Sequence, residues 1–235
     1  MIPIFVGFDP RESATFHVLE QSIMETTSVP VAIIPLHSPM LRNFDGQKDG
    51  TNAFIYSRFL VPELMDYQGW AMYLDSDMLV RTDLVQLWDH IDENKAVMVC
   101  KHEYETTTRT KLIGTPMESR NDAYPRKNWS SMILWNCGHP MNRILSRGFV
   151  QEATGKQLHR FEWIPDEDIG SIPLGWNHLV GEYEPNPHAH LAHYTLGSPG
   201  FPHYERSEFS AEWFNHYNET YRMDTLMEVR HRRHH

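Results

Sequence analysis

The segment Asp75-Ser76-Asp77 follows directly on the apolar run Trp70–Leu74. That run has strand length, and side chains alternate along a strand, so both carboxylates are expected on one side of its end. Two converging carboxylates are hard oxygen ligands suited to Mn²⁺ or Mg²⁺. Such an ion bridges diphosphate oxygens and offsets charge on a departing nucleotide. A second Asp-x-Asp spacing occurs at Asp166 and Asp168. What sets the first pair apart is its place, because ligands of open parallel sheets bind beyond the carboxyl ends of the strands.

The elements that would position this pair can be read from periodicity. Ile2–Gly7, 29–36, 96–100 and 132–135 are further apolar runs of strand length. After a turn at Asp9-Pro10, Ala14, Val18 and Leu19 share a helical face; Ala53, Tyr56, Phe59 and Leu60 predict a second helix over 52–60. Pro140 is expected to open a helix running to about 153, and Ser210 to cap one in which Trp213, Tyr217 and Tyr221 form a core-facing stripe. Residues 103–128 are polar, with no period, and predict a long loop or lid. Strands separated by helices imply an α/β fold with a largely parallel sheet and helices on both faces.

Composition narrows the class. At 235 residues and 40% hydrophobic content, one domain with one substantial core is expected over 1–235. A net charge of -10 argues against nucleic acid, whose binders cluster Lys and Arg against phosphates. The two cysteines, Cys100 and Cys137, have neither ligand nor redox spacing and predict buried thiols in a reducing compartment. Without a basic leader or an apolar run of about 20 residues, a soluble cytoplasmic protein with no transmembrane segment is expected. The His- and Arg-rich end from 226 onward predicts a disordered tail.

Tyr73-Leu-Asp-Ser-Asp-Met-Leu-Val80, followed by Asp83 and Leu87, resembles the metal-binding segment of the family 8 retaining glycosyltransferases, the family of glycogenin and bacterial galactosyltransferases. Tyr56-Ser-Arg58, with Pro62 and Leu64, is similar to the family helix whose arginine approaches the donor. Trp129-Ser-Ser-Met-Ile-Leu-Trp-Asn136 resembles the strand that opens beside the sugar, which implies Ser130 and Ser131 as donor contacts. Ile164-Pro-Asp-Glu-Asp-Ile169 is similar to the segment facing the anomeric carbon, with Glu167 where the family has glutamine. His193-Tyr-Thr-Leu-Gly197-Ser-Pro-Gly200 resembles the segment whose histidine completes the metal site and whose following residues wrap the diphosphate. This chain lacks the family's lysine there, so the backbone N–H groups of Gly197 and Ser198 are expected to serve instead. Val6-Gly-Phe-Asp9 is similar to the strand end that grips the nucleobase, with Phe8 as the base-stacking candidate.

The resemblance implies a Rossmann-like GT-A sandwich of α/β/α layers. Residues 1–100 would form the nucleotide-sugar and metal half, and 101–225 the acceptor half. It further implies a UDP-sugar donor, Mn²⁺ (or Mg²⁺) held by Asp75, Asp77 and His193, and donor contacts from Val6, Gly7, Phe8, Asp9, Arg58, Ser76, Ser130, Ser131, Gly197 and Ser198. Asp166, Glu167 and Asp168 would be the catalytic candidates. The expected reaction is retaining transfer of glucose or galactose to an acceptor the sequence does not identify, with donor hydrolysis in its absence. Three alternatives stay open: an inverting enzyme with Asp166 or Glu167 as base, a metal-dependent nucleotidyltransferase or pyrophosphate hydrolase, and a non-catalytic carbohydrate-binding module.

Overall fold

The computed structural model describes residues 1–44 and 54–221. Its strands are β1 (Ile2–Gly7), β2 (Val31–Leu36), β3 (Trp70–Leu74), β4 (Met78–Val80), β5 (Val97–Cys100), β6 (Thr110–Lys111), β7 (Ser119–Arg120), β8 (Met132–Asn136), β9 (Ile169–Ile172), β10 (His178–Leu179) and β11 (Leu191–His193). Its α-helices are α1 (Ser13–Thr26), α2 (Val61–Leu64), α3 (Leu84–Trp88), α4 (Arg147–Glu152), α5 (Gly155–His159) and α6 (Ser210–Thr220).

A central sheet runs in the order β2-β1-β3-β8-β5-β9. All neighbouring pairs are parallel except the two made by β8, which runs antiparallel to β3 and β5. Alternation along these strands divides the apolar residues between two layers. Phe5, Ala71, Tyr73, Val99, Ile133 and Trp135 face a cluster that includes Phe59, Leu60, Val150 and Leu158. Ile4, Val6, Met72, Leu74, Met98 and Leu134 face the other, with Phe16, Leu19 and Ile23 of α1 and Leu84 and Leu87 of α3. The result is the α/β/α sandwich. A smaller sheet, β10-β11-β4, lies against α6 through Val18, Leu79, Val180, Ala192, Tyr194 and Trp213.

Several elements differ in detail from the sequence reading. The expected helix over 52–60, whose first two residues lie outside the described residues, is a turn followed by a 3-10 segment, Ser57–Leu60, that leads into α2. The expected helix from 140 to 153 is broken at Leu145 (ψ 60°), and Ser146 caps a new start by accepting from the Phe149 N–H. Ser210 does not cap α6; that place belongs to Phe209, at φ 59°. The stretch 103–128 is a loop except for the short β6–β7 hairpin. Both cysteines are buried and free, and no helix among the described residues is long and apolar enough to cross a membrane. The tail from 226 lies outside the described residues.

Candidate active site

β3 ends at Leu74, and residues 75–77 turn out of the sheet instead of continuing it. The convergence of Asp75 and Asp77 is therefore made by the turn and its anchors, not by strand alternation. The Asp75 N–H donates to Ser131 O at 2.9 Å, which ties it to the start of β8. On the far side, β4 pairs antiparallel with β11 so that Met78 lies opposite His193, and the Tyr194 N–H donates to Asp77 O at 2.9 Å. Asp75, Asp77 and His193 thereby offer three ligand atoms within 4.8 Å of one another.

These residues fit a divalent metal. The Asp75 carboxylate accepts from the Tyr73 hydroxyl at 2.6 Å and pairs with Arg58 at 3.0 Å. Burial pushes Asp75 above the usual carboxylate range; Arg58 opposes the rise and Asp77 adds to it. Burial acts on Asp77 in the same sense, but the facing His193 outweighs it and the net direction is down. Asn177 fixes the orientation of that imidazole. Its Nδ2 donates to Ser131 Oγ at 2.9 Å, so its Oδ1 accepts from His193 Nδ1 at 2.9 Å. His193 Nε2 is left facing Asp77 Oδ1 at 3.3 Å, and that oxygen is buried without a hydrogen bond among the described residues. Two lone pairs at this distance require a proton or a cation between them. An oxygen acceptor behind the imidazole, here Asn177 Oδ1, fixes its tautomer and orientation as the outer-shell partners of metal-ligating histidines do.

The cluster lies in the wall of a cavity of about 380 Å³. Of the sequence candidates, Arg58, Asp75, Asp77, Ser130, Ser131 and His193 line it. Arg58 is committed to Asp75, to Ser130 O at 2.8 Å and to Ile55 O at 3.1 Å, so it organises the wall. Ser130 Oγ lies 2.7 Å from His159 Nδ1. Burial drives His159 down to about 3 and keeps its ring neutral.

The other candidates lie elsewhere. Val6 is in the sheet core, and a Cβ on Gly7 would come within 2.3 Å of the Phe54 ring. Phe8 packs edge-on against Phe16 and His37, both at 5.2 Å. Asp9 accepts from the Arg11 backbone and side chain as the cap of the turn before α1. The Gly197 N–H donates to Tyr194 O at 2.8 Å, so it is spent on a turn; its φ of 151° and the Tyr204 ring, 2.2 Å from any Cβ, account for the glycine. Ser76 and Ser198 are buried with hydroxyls that have no partner among the described residues.

Asp166, Glu167 and Asp168 are not brought to the cavity. They precede β9, which is parallel to β5 with Ile169 opposite Val97, and Asp168 O accepts from the Ala96 N–H. Asp168 therefore enters the sheet at the end of the strands opposite to the one at which Asp75 follows β3. Asp166 pairs with Arg126 at a neighbouring cavity that shares Arg160 with this one, and Glu167 is exposed. The acidic triplet reads alike at either end of a strand, and only the topology separates the two.

The cavity also recruits residues that pattern reasoning passed over: Glu12 from the turn before α1, Lys111 and Tyr124 from the lid, and Lys156, His159 and Arg160 from α5 and its end. Burial pushes Glu12 up to about 8, with Asp77 and Asp9 adding to the rise. Membership of the 103–128 stretch was the only sequence signal for Lys111 and Tyr124.

The profile of glycosyl transferase family 8 matches residues 9–136, more than half of the chain. Protein CDI of Arabidopsis thaliana is 44% identical over 227 residues, covering 92% of this chain and 86% of that protein. Among solved structures, the bifunctional glycosyltransferase WbbM in its apo form aligns with a TM-score of 0.65 at 14% identity, over 98% of this chain. The alignment covers 51% of WbbM, so this chain spans about half its length. The galactosyltransferase LgtC, solved with donor and acceptor sugar analogs, aligns with a TM-score of 0.57 at 12% identity, over 97% of this chain and 99% of its own. The chain belongs to glycosyl transferase family 8 and is a glycosyltransferase of the GT-A fold.

Proposed function

We propose that this enzyme moves a hexose, glucose or galactose, from a UDP-sugar to an acceptor hydroxyl with retention of configuration. Asp75, Asp77 and His193 would hold Mn²⁺, or Mg²⁺ in its place. The observation that carries the reading is the Asp75–Asp77–His193 cluster, whose histidine Asn177 orients toward Asp77. When bound, the ion would supply Lewis-acid stabilisation of the charge developing on the leaving nucleotide.

The chain's own residues set the rest. Arg58 fixes Asp75 and the Ser130 carbonyl together, and the Tyr73 hydroxyl donates to Asp75 Oδ1, the oxygen that also pairs with Arg58. Ser130 and His159 form a neutral hydrogen-bonded pair suited to sugar hydroxyls. Among the described residues, the carboxylates lining the cavity are Glu12, Asp75 and Asp77. With the last two assigned to the metal and Glu12 holding its proton up to about 8, this lining supports attack from the face the nucleotide leaves. The acceptor oxygen bonds to the anomeric carbon as the bond to the phosphate oxygen breaks, and the hydroxyl proton passes to that departing oxygen. Family membership supports the retaining outcome; the acceptor is an unspecified hydroxyl compound, and donor hydrolysis is the expected side reaction without it.

The test is UDP release from a panel of UDP-sugars, with Mn²⁺ or with EDTA, for wild type and Asp75→Asn/Asp77→Asn. Release should need metal and fall by more than about 100-fold in the variant. Absence of both UDP release and UDP binding by wild type would refute the donor assignment. An inverted linkage in the product, seen by NMR, would remove retention alone.

A further inference from the structure

Lys111 is carried into the cavity by the lid. It ends β6 and lines the cavity with Glu12, Asp77, His193 and Thr195. Two contacts fasten this point of the lid. Leu112, at φ 56°, donates its N–H to Leu196 O at 2.7 Å, and the Ile113 N–H donates to the Tyr204 hydroxyl at 3.0 Å. Tyr204 packs in turn where a Cβ on Gly197 would stand. The base of the lid is thus tied to the loop after His193.

Arg58, the other deeply placed cation of this wall, is saturated by Asp75 and two carbonyls. Lys111 is half-buried, and its ammonium has no hydrogen-bond or ion-pair partner among the described residues. Its charge acts on Glu12 and Asp77 through space. An ammonium in a cavity wall without a protein partner is available to pair with an anionic ligand. With a divalent ion held by Asp75 and Asp77, the cations of the lining, Arg58, Lys111, Lys156 and Arg160, would outnumber its remaining negative charge, and a diphosphate diester supplies two negative charges. The buried hydroxyls of Ser76 and Ser198, without partners, belong to the same two segments that hold the metal ligands.

We propose that Lys111 is the cation that binds the diphosphate of the nucleotide-sugar donor, so that the lid, and not the loop after His193, supplies this charge. The inference rests on the cavity being a nucleotide-diphosphosugar site. The experiment is calorimetry of UDP and of uridine with Mn²⁺ present, on wild type, Lys111→Met and Lys111→Arg. Lys111→Met should bind UDP about 10- to 100-fold more weakly, as for loss of a charge-assisted hydrogen bond, with uridine affinity unchanged. Lys111→Arg should recover part of the loss, and the UDP affinity of wild type should fall more steeply with NaCl than that of Lys111→Met. UDP affinity of Lys111→Met within about twofold of wild type would overturn the role of Lys111 while leaving the donor site standing. Failure of wild type itself to bind UDP would overturn the nucleotide reading, and this inference with it.

Discussion

Glu12 enters the cavity from the turn that Asp9 caps, with its own carbonyl accepting from Thr15 Oγ1 at 2.7 Å. Held near Asp77 and largely out of water, it keeps its proton up to about 8, against 4.5 for an ordinary glutamate. Between those values the folded chain binds a proton that the unfolded chain has released, so stability falls as pH rises through this window and levels off above it. The full difference corresponds to at most about 5 kcal/mol. Urea unfolding of metal-free protein at pH 5.5 and 8.5 should show a drop for wild type that is smaller in Glu12→Gln; parallel profiles would contradict the burial of an uncompensated carboxyl. The sequence could not show this residue. Asp75 and Asp77 announce themselves by following an apolar strand, whereas Glu12 acquires its character only from neighbours brought in by the fold.

At the level of elements, one carboxylate ties the two sides of the lid together, beside the contacts of Leu112 and Ile113. Glu182 accepts from Thr106 Oγ1 at 2.7 and 2.9 Å and from Asn121 Nδ2 at 2.7 Å, and Lys127 Nζ donates to Asn121 Oδ1 at 2.5 Å. The two sides of the loop are thereby pinned to the segment after β10. Removing the acceptor in Glu182→Ala leaves Asn121 and Thr106 without it, and the lid should open locally before the sheet yields. Limited trypsin digestion should then cut at Arg109, Lys111 or Arg120 several-fold faster, and the donor KM should rise with Lys111 displaced. Equal digestion rates would show that Leu112 and Ile113 suffice to hold it. The lid was legible as a polar stretch without period, but its anchor was not, because Glu182 lies far along the chain in a segment with no pattern of its own. Strands such as β1 and β3 were legible to the residue because both their faces are buried. The helix over 140–153 was overdrawn because apolar spacing continues past Leu145, where the backbone leaves the helical region and Ser146 begins again.

Across the whole molecule, a chain of net charge -10 gathers Arg58, Lys111, Lys156 and Arg160 around one cavity, so the site's potential opposes that of the molecule that carries it. Its geometry depends equally on a part distant in sequence. His193 meets Asp77 only because β11 pairs with β4, and that small sheet is backed by α6. Trp213 is buried there against Val18, Leu79, Ala192 and Tyr194 and stacks on Tyr217 at 5.4 Å. Arg81, just after β4, joins the same support, bonding Glu212 at 2.7 Å and lying 3.8 Å over the Phe209 ring. Trp213 and Tyr217 of α6 therefore buttress the pair that assembles the metal ligands, whereas Tyr221, the third residue of the expected stripe, lies past the end of α6 and is exposed. Trp213→Ala should cost about 3–5 kcal/mol in unfolding free energy, and Trp213→Phe less. If the β4–β11 register leans on this packing, Mn²⁺ affinity measured by calorimetry should weaken in Trp213→Ala at temperatures where far-UV circular dichroism shows the chain still folded. A destabilised variant that binds Mn²⁺ as tightly as wild type would mean that β4 and β11 hold their register unaided, and that α6 contributes to stability alone.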